Sequence, residues 1–211
     1  MKLLYRGAEA DVYRGDWCGQ PAVYKMRKPL RYRLPELDDL IRSQRTAHEA
    51  QMIHDSKLAG VSSPHLYYMS PREALLVMEF VEGKRLKTLL EPDVPRETIA
   101  ELGKEFGRSI ARLHAAGIMH GDLTTSNAIV NGGGISLIDF GLAVHSTRLE
   151  DQAVDLRLIK ETLTGAHNSV SKPFMRSLIA GYSSVLGGSR ANAATKKLAE
   201  IERRGRYARV E

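Results

Sequence analysis

The chain has 211 residues, of which 43% are hydrophobic and 27% charged, and 31 Lys and Arg against 25 Asp and Glu leave a net charge of +6. These values exclude a disordered or fibrous protein, and the length allows one domain or two small lobes around a real core. The single cysteine, Cys18, excludes an internal disulfide framework and indicates a reducing compartment.

The first part of the chain predicts a small sheet with one helix. Runs of β-favouring residues lie at 3–5, 11–13, 22–24, 66–69 and 75–81, separated by Gly- and Pro-containing turns. A stretch rich in Glu, Gln and Ala predicts a helix from Ser43 to Leu58, ending at Gly60. We therefore predict an N-lobe over residues 1–81.

The pattern beyond residue 81 is mainly helical. Apolar residues recur at steps of three and four between Pro95 and Gly117, which predicts one long amphipathic helix. Short strands are predicted at 128–130 and 135–138, and further helices at 150–163, 173–186 and 192–203. We predict that residues 82–211 form a C-lobe, so the fold class is α+β with two lobes.

The strongest chemical signal is the segment HGDLTTSN at 120–127, followed by IDFG at 138–141. Phosphoryl transfer requires a carboxylate that orients the attacking hydroxyl or water, and an Asn with an Asp that hold the metal bridging the phosphates. Asp122 and Asn127 have the spacing of a protein-kinase catalytic loop, and Asp139 begins a DFG triplet after an apolar strand. We predict Asp122 as a catalytic residue, Asn127 as catalytic and metal-binding, and Asp139 as metal-binding.

The N-lobe supplies candidates for binding the phosphates of ATP. Lys25 follows the third strand run, where kinases place the lysine that pairs with these phosphates, and Glu49 in the predicted helix is its candidate partner. Glu36 is an alternative partner, because it also lies between the strand and the helix.

The turn that should cover the phosphates departs from the kinase pattern G-x-G-x-x-G. This chain has Gly7, Ala8, Glu9 and Ala10 there, and keeps only the first glycine. Alanine restricts positive φ, and Glu9 would place a carboxylate close to the phosphates. We expect these residues to form a tight cover with less mobility than a glycine-rich loop.

With these motifs the chain resembles a minimal protein-kinase-like fold, and in particular the small atypical kinase/ATPase of the KEOPS (EKC) complex, the PRPK-type proteins of archaea and eukaryotes. The resemblance covers nearly the whole chain. It rests on GAEA at 7–10, YRLPELD at 32–38, HGDLTTSN at 120–127, IDFGL at 138–142 and RRGR at 203–206.

The resemblance implies ATP and Mg²⁺ as cofactors and a role in threonylcarbamoyladenosine modification of tRNA. The implied partners are the KEOPS synthase subunit and other KEOPS subunits, with tRNA reached through the complex, and Ser/Thr phosphorylation or autophosphorylation is implied as an in-vitro activity. By the same resemblance, Met78 is the gatekeeper, and the Glu79 carbonyl and the Val81 amide face adenine.

Departures from ordinary kinases argue against efficient peptide phosphorylation. Gly121 replaces the Arg that pairs with a phosphorylated activation loop, and Thr124 replaces a Lys that contacts the transferred phosphate. No A-P-E triplet follows Asp139, so we expect the peptide-docking platform to be largely absent. We expect Asp155 to brace the backbone of the catalytic loop.

The sequence is also compatible with two other functions. A small-molecule phosphotransferase of aminoglycoside or choline kinase type also carries HGD, although it builds its substrate pocket from additional C-terminal helices. A non-catalytic scaffold of kinase shape is the other alternative, although such a protein would not need Lys25, Asp122, Asn127 and Asp139 together.

Charged and apolar segments add two expectations. The basic stretch at 196–211 and the basic run at 25–33 are solvated faces or surfaces for phosphates or partners. The first residues lack the apolar core of a signal peptide, and the longest apolar run, 74–78, is too short to cross a bilayer. We therefore expect a cytoplasmic protein without a membrane segment.

Overall fold

The computed structural model describes residues 1–91 and 93–207, with side chains up to Arg204. The first five strands are β1 (Lys2–Arg6), β2 (Ala10–Trp17), β3 (Gln20–Arg27), β4 (Leu66–Ser70) and β5 (Leu75–Glu79). They form an antiparallel sheet in the order β1-β2-β3-β5-β4. The five predicted strand runs are therefore confirmed.

The β2–β3 hairpin fixes the register of the central strand. Cys18 and Gly19 have φ values of 51° and 82°, and two consecutive residues with positive φ form the turn whose twist matches that of paired strands. Pairing then runs without a bulge from the turn to the Ala10–Arg27 pair, which sets Lys25 opposite Val12. On its other side Lys25 is opposite Leu76 of β5, so Lys25 lies on an interior strand.

The helix α1 (Pro35–Leu58) packs against this sheet and is longer than predicted. The predicted start at Ser43 is wrong, because the helix begins with Pro35, which is pre-organised for a first helical position, and has Glu36 and Asp38 in its first turn. Asp38 is buried and accepts a hydrogen bond from Nε of Arg42 at 2.8 Å. This i,i+4 side-chain pair stabilises the first two turns of the helix.

The remaining elements are mainly helical. A small sheet contains β6 (Lys84–Arg85), β8 (Ala128–Asn131) and β9 (Gly134–Leu137), and β7 (Ile118–Met119) pairs with β10 (Val144–His145). The helices are α2 (Leu86–Leu89), α3 (Arg96–Ala115), α4 (Leu149–Ala166), α5 (Asn168–Leu186) and α6 (Gly188–Tyr207). The five-stranded sheet and α1 all precede residue 82, and the lobe division at 81/82 stays a prediction.

The helices α3 and α5 form the most extensive helix contact in the fold. Gly103 and Gly107 on α3 and Gly181 on α5 let the two backbones approach, because a Cβ atom at Gly107 would lie 2.0 Å from the carbonyl oxygen of Leu178. The side chains of Phe106 and Phe174 fill the space beside these glycines, with ring centroids 6.3 Å apart. Tyr182 on α5 and His114 on α3 thereby meet, with His114 Nδ1 2.8 Å from the Tyr182 hydroxyl.

Three boundaries of the last two helices differ from the predictions. The helix α5 begins at Asn168, so Pro173 lies inside the helix and does not start it. The helix α6 begins at Gly188, before the predicted start at Asn192, and continues to Tyr207 beyond the predicted end at Arg203. Within the part of the chain that is described, no helix is both long and apolar enough to cross a membrane.

Candidate active site

A cavity of about 720 Å³ lies between the five-stranded sheet and the helical part of the chain. Its apolar walls come from both sides and include Val12 and Val23 of the sheet and Ile129 and Ile138 of the helical part. Its polar end contains the following side chains, which are separate in sequence: Lys25, Glu49, Asp122, Thr124, Ser126, Asn127 and Asp139. The cavity therefore has an apolar end and a charged end.

The segment at the back of the cavity is held by hydrogen bonds to His65, the residue before β4. The gatekeeper candidate Met78 is 7% exposed, and Met78, Glu79 and Val81 all line the cavity. The Glu79 amide donates to the His65 carbonyl at 2.8 Å, and the Glu79 carboxylate accepts from the His65 amide at 3.0 Å. These contacts bring the residues expected to face adenine to the apolar end of the cavity.

Four charged side chains alternate in sign across the polar end. Lys25 Nζ lies 2.7 Å from Glu49 Oε1 and 2.8 Å from Asp139 Oδ1, and Arg27 Nη2 lies 2.5 Å from Glu49 Oε2. Glu49 is 1% exposed, whereas Glu36 is exposed, so Glu49 is the carboxylate that pairs with Lys25. Arg27 completes the set, so each oxygen of the buried Glu49 carboxylate has a cation.

The pKa values of Lys25 and Asp139 follow from this pairing. Burial alone would lower the pKa of Lys25, but the carboxylates of Glu49 and Asp139 outweigh it, and the pKa of the ammonium is raised. Burial alone would raise the pKa of Asp139, but the Lys25 ammonium reverses the shift, and the pKa of the carboxyl is lowered. Both groups are therefore charged at neutral pH.

The catalytic-loop candidates are positioned by hydrogen bonds within the loop. Asn127 Nδ2 donates to Asp122 Oδ2 at 2.8 Å and to the Asp122 carbonyl at 2.9 Å. These bonds close the turn at Thr125–Asn127, a single turn of 3-10 helix. The Asp122 carboxylate is thereby oriented at the polar end of the cavity.

The loop is braced from below by Asp155 of α4, as predicted. Its carboxylate accepts hydrogen bonds from the backbone amides of His120 at 2.7 Å and Gly121 at 2.9 Å. A third contact comes from His114 Nε2 at 3.2 Å, and His114 Nδ1 lies 2.8 Å from the Tyr182 hydroxyl. Burial would raise the pKa of Asp155, but the His114 contact and the other partners lower it, which keeps the brace anionic.

The donor set at the polar end fits a nucleotide-bound magnesium ion. Asn127 donates to Asp122 from its amide nitrogen, which leaves the Asn127 Oδ1 atom available to a metal ion. Asp139 accepts from Lys25 and from the Gly141 amide through Oδ1, which leaves the Asp139 Oδ2 atom available. Mg²⁺ prefers oxygen ligands and is usually bound by one or two protein groups together with phosphates and water. Within the described residues, no cluster of three or more His, Cys, Asp or Glu side chains suits a metal ion.

Gly121 has a steric reason to be glycine. Its φ is 77°, and a Cβ atom there would lie 2.3 Å from the carbonyl oxygen of Leu142. An arginine at this position therefore conflicts with the backbone after the DFG triplet. The local fold therefore accounts for the absence of the phosphate-binding arginine at this position.

The covering turn lies outside the cavity wall. Tyr5 and Val12 line the cavity from the flanking strands, whereas, among the described residues, Gly7, Ala8, Glu9 and Ala10 do not. The Glu9 carboxylate is directed to Arg45 of α1 and lies 3.7 Å from Arg33. The expectation that Glu9 places its charge beside the phosphates is therefore not met by its observed contacts.

Sequence reasoning missed the roles of three side chains near the site. Arg27 was grouped with a basic run, although its position two residues after Lys25 places both on the same face of β3. His114 and Tyr182 meet only through the packing of α3 on α5, for which the local sequence carries no signal. The basic run at 25–33 is largely used internally, since Lys25, Arg27, Lys28 and Arg33 all form ion pairs.

Comparison with known proteins places the chain in a family. The model of the protein kinase domain matches residues 6–166. The KEOPS complex subunit Bud32 of Pyrococcus abyssi is 38% identical over 213 residues, which cover 98% of this chain and 96% of that protein. A probable bifunctional tRNA threonylcarbamoyladenosine biosynthesis protein of Methanothermobacter thermautotrophicus is 40% identical over 97% of this chain, which spans only 36% of the relative's length.

Solved structures agree on the fold. The Rio2 kinase of Chaetomium thermophilum, solved as an ADP/Mg²⁺-phosphoaspartate complex, matches 95% of this chain and 72% of its own with a TM-score of 0.63 and 18% identity. WaaP in complex with acyl carrier protein matches 93% of this chain and 88% of its own with a TM-score of 0.60 and 16% identity. At these identities the likeness shows the fold alone. Together with the sequence matches, it establishes that the chain is a protein-kinase-like protein and belongs to the Bud32 family.

Proposed function

We propose that this protein hydrolyses ATP as the kinase-like subunit of a KEOPS-type complex and thereby supports threonylcarbamoyladenosine formation in tRNA. The observation that carries the proposal is the gathering of Lys25, Glu49, Asp122, Asn127 and Asp139 at one end of a single cavity. The name of the Pyrococcus abyssi relative, which this chain matches over almost its whole length, supports the choice of complex.

Each polar residue has one role in this proposal. Asp122 orients the attacking hydroxyl or water, and Lys25, positioned by Glu49, binds the phosphates of ATP. Asn127 and Asp139 hold Mg²⁺, which when bound neutralises charge on the phosphates. The adenine ring lies at the apolar end of the cavity, against Met78 and the segment from Glu79 to Val81.

Hydrolysis is favoured over peptide phosphorylation by the segment between the DFG triplet and α4. Only residues 142–148 separate Gly141 from α4, and two of them pair as β10 with β7. An ordinary activation segment needs more residues to present a peptide. Gly121 and Thr124 remove two cationic groups that ordinary protein kinases use around this segment.

The two alternatives make different predictions for the products. A small-molecule phosphotransferase would transfer phosphate to an added aminoglycoside or choline, and a scaffold would turn over no ATP. No side chain or cavity of the described structure favours either alternative over hydrolysis.

The test measures ATP turnover by the protein alone and with the KEOPS synthase subunit and tRNA, while protein phosphorylation is scored in the same samples. We expect Mg²⁺-dependent release of phosphate, stimulated by the partners, with little phosphoprotein. Asp139→Asn should abolish turnover without loss of folding, because asparagine tolerates the positive φ of 64° at this position but removes the charged oxygen ligand. Turnover by Asp139→Asn at the wild-type rate would overturn the assignment of the site.

A further inference from the structure

The backbone of the turn at residues 7–10 is fixed against the end of β3. The amide of Gly7 donates to the Ala10 carbonyl at 2.9 Å, which closes the turn on itself. The Lys28 amide donates to the Glu9 carbonyl at 2.8 Å, and Lys28 Nζ donates to the Gly7 carbonyl at 2.7 Å. The turn therefore has contacts that a mobile glycine-rich cover would lack.

The side chain of Glu9 connects this turn to α1. Glu9 Oε2 is bound by Arg45 Nη1, and Glu9 Oε1 lies 3.7 Å from Arg33 Nη2. Arg33 is itself held by Asp38 in the first turn of α1, at 3.4 Å. The carboxylate thus has two arginine partners, one on α1 and one tied to its start.

One face of α1 holds both the covering turn and the phosphate-binding lysine. Arg45 and Glu49 are one helical turn apart, so their side chains emerge on the same face of the helix. Arg45 binds Glu9, while Glu49 binds Lys25 at 2.7 Å. Any displacement of α1 away from the sheet would therefore break both contacts together.

We propose that Glu9 is a positioning residue that latches the covering turn to α1 through Arg45, so that the cover and the Lys25–Glu49 pair move as one unit. The proposal rests on the proposed function, since it takes the turn, whose neighbours Tyr5 and Val12 line the cavity, to close over the bound nucleotide and slow its release. The covering loop of ordinary kinases is mobile because it is rich in glycine, whereas in this protein the Glu9–Arg45 contact holds the turn in place. Glu9 acts through the turn and does not touch the nucleotide.

The size of the effect follows from the exposure of the pair. The side chains of Arg45 and Glu9 are 39% and 42% exposed, and exposed ion pairs are individually weak and are screened by salt. We therefore expect Glu9→Gln to raise the dissociation rate of ADP about threefold at low salt. The difference from the wild type should shrink as salt is added.

The direction of the change separates the latch from simple electrostatics. If Glu9 acted only as a negative charge near the phosphates, its neutralisation would hold ADP more tightly and slow its release. The latch makes the opposite prediction for the same variant. If the Glu9–Arg45 contact is a surface ion pair without effect on the turn, Glu9→Gln should leave the rate of ADP release unchanged.

The experiment measures ADP dissociation by stopped-flow displacement of a fluorescent ADP analogue from the whole chain. Glu9→Gln, Arg45→Gln and the double variant form a cycle, in which the latch predicts that the double variant releases ADP about as fast as either single one. Arg31→Gln is the matched control, because Arg31 is an exposed arginine two residues before Arg33. Arg31 forms no ion pair with any residue in the described ranges. The control should keep the wild-type rate.

A second measurement is independent of nucleotide. Hydrogen exchange in the ligand-free protein should be faster for the amides of residues 7–12 in Glu9→Gln than in the wild type, and unchanged in Arg31→Gln. Additive, absent or reversed effects on ADP release, or unchanged exchange in the turn, would overturn the latch. Failure of the wild type to bind ADP at all would overturn the proposed function instead, and the exchange measurement would still decide whether Glu9 holds the turn.

Discussion

At the scale of single residues, the site is a chain of alternating charges in which the central carboxylate has two cations. Glu49 is buried between Lys25 and Arg27, and Lys25 in turn bridges to Asp139. A buried charge is stabilised only while it keeps a partner, and removal of one partner leaves the other uncompensated. In the proposed function Lys25 binds phosphate, and Arg27 then remains as the partner that compensates the buried Glu49.

Substitution of the two members of the ion pair should separate binding from stability. We expect Lys25→Ala to reduce ATP turnover about 100-fold while the protein stays folded, because Glu49 keeps Arg27 as its partner. Glu49→Gln should also lower stability by about 3 kcal/mol, because it leaves the buried Arg27 without its carboxylate. Nucleotide titration and thermal unfolding measure the two effects.

Charge reversal at Glu49 is a poorer test than neutralisation. A lysine at this 1% exposed position would place three cations together and should prevent folding. Nucleotide affinity of the wild-type strength in Lys25→Ala would contradict the role of Lys25. Unchanged unfolding of Glu49→Gln would contradict the role of Arg27.

Protonation of His120 should make the protein less stable in mild acid. Burial lowers the pKa of His120, whose Nε2 lies 3.2 Å from the Ile138 carbonyl, so the unfolded chain takes up the proton first. Stability should therefore fall as the pH drops below about 6.5, the ordinary pKa of histidine. The lowered pKa of Asp155 has the usual consequence for a carboxylate, a loss of stability only below about pH 4.

Denaturant unfolding between pH 7 and 5 measures this effect. His120→Gln should show a shallower decline over this range than the wild type. His54→Gln, at an exposed position of α1, should keep the wild-type decline. Equal slopes for His120→Gln and the wild type would show that another group controls stability in this range.

At the scale of elements, the sequence predicted the type of each long helix and strand better than its ends. The β-favouring run at 22–24 and the apolar periodicity between Pro95 and Gly117 are clear signals, and both elements are present. The start of α1 at Pro35 follows from a proline at the first helical position and acidic residues in the first turn, signals that the composition-based prediction from Ser43 did not use. Motif spacing predicted Asp122 with Asn127, but it missed the contact between Glu9 and Arg45, because these two residues are 36 apart in sequence and meet only through packing.

Two substitutions of glycine by alanine should change the free energy of unfolding in opposite directions, because only one of the glycines lies in the close contact of α3 with α5. Gly107→Ala would force a Cβ atom to within 2.0 Å of the Leu178 carbonyl oxygen, and we expect a loss of at least about 2 kcal/mol in the free energy of unfolding. Gly165→Ala in α4 meets open space and should instead gain about 0.5–1 kcal/mol, because alanine favours the helix. Chemical denaturation of both variants measures the difference, and destabilisation of similar size in both would contradict the packing argument.

At the scale of the whole molecule, contacts across the cavity hold α1 against the segment after the DFG triplet. His48 Nε2 lies 2.7 Å from the Ala143 carbonyl, and His145 Nε2 lies 2.9 Å from Asp55 Oδ2. Together with the Lys25–Asp139 contact, these bonds assemble the site in the absence of a phosphorylated loop. The arrangement agrees with Gly121, which leaves no arginine to bind such a phosphate.

The basic end of the chain bears on the partners of the protein. The last anchoring contacts in the described part are the packing of Ile201 and the ion pair between Lys160 and Glu202, 2.7 Å apart. Arg203 and Arg204 beyond them are exposed, the side chain of Arg206 is not among those described, and residues 208–211 lie outside the described residues. Arg203 and Arg204 therefore lie within α6, because this helix continues past its predicted end at Arg203.

Deletion of residues 203–211 should spare ATP binding but impair assembly with the synthase subunit or stimulation by tRNA. ATP binding should survive because the residues that line the cavity all precede Leu142, and because the contacts of Ile201 and Glu202 are retained. Arg203→Ala with Arg204→Ala is the matched variant, since it removes two exposed charges without shortening α6.

Co-purification with the synthase subunit and tRNA-stimulated ATP turnover are measured over a range of salt concentrations. Contacts to tRNA phosphates weaken steeply as salt rises, whereas a protein interface with buried contacts weakens less, so the salt dependence identifies which partner the arginines meet. If both variants assemble and respond to tRNA like the intact protein, the basic end is a solvated surface and the prediction is wrong.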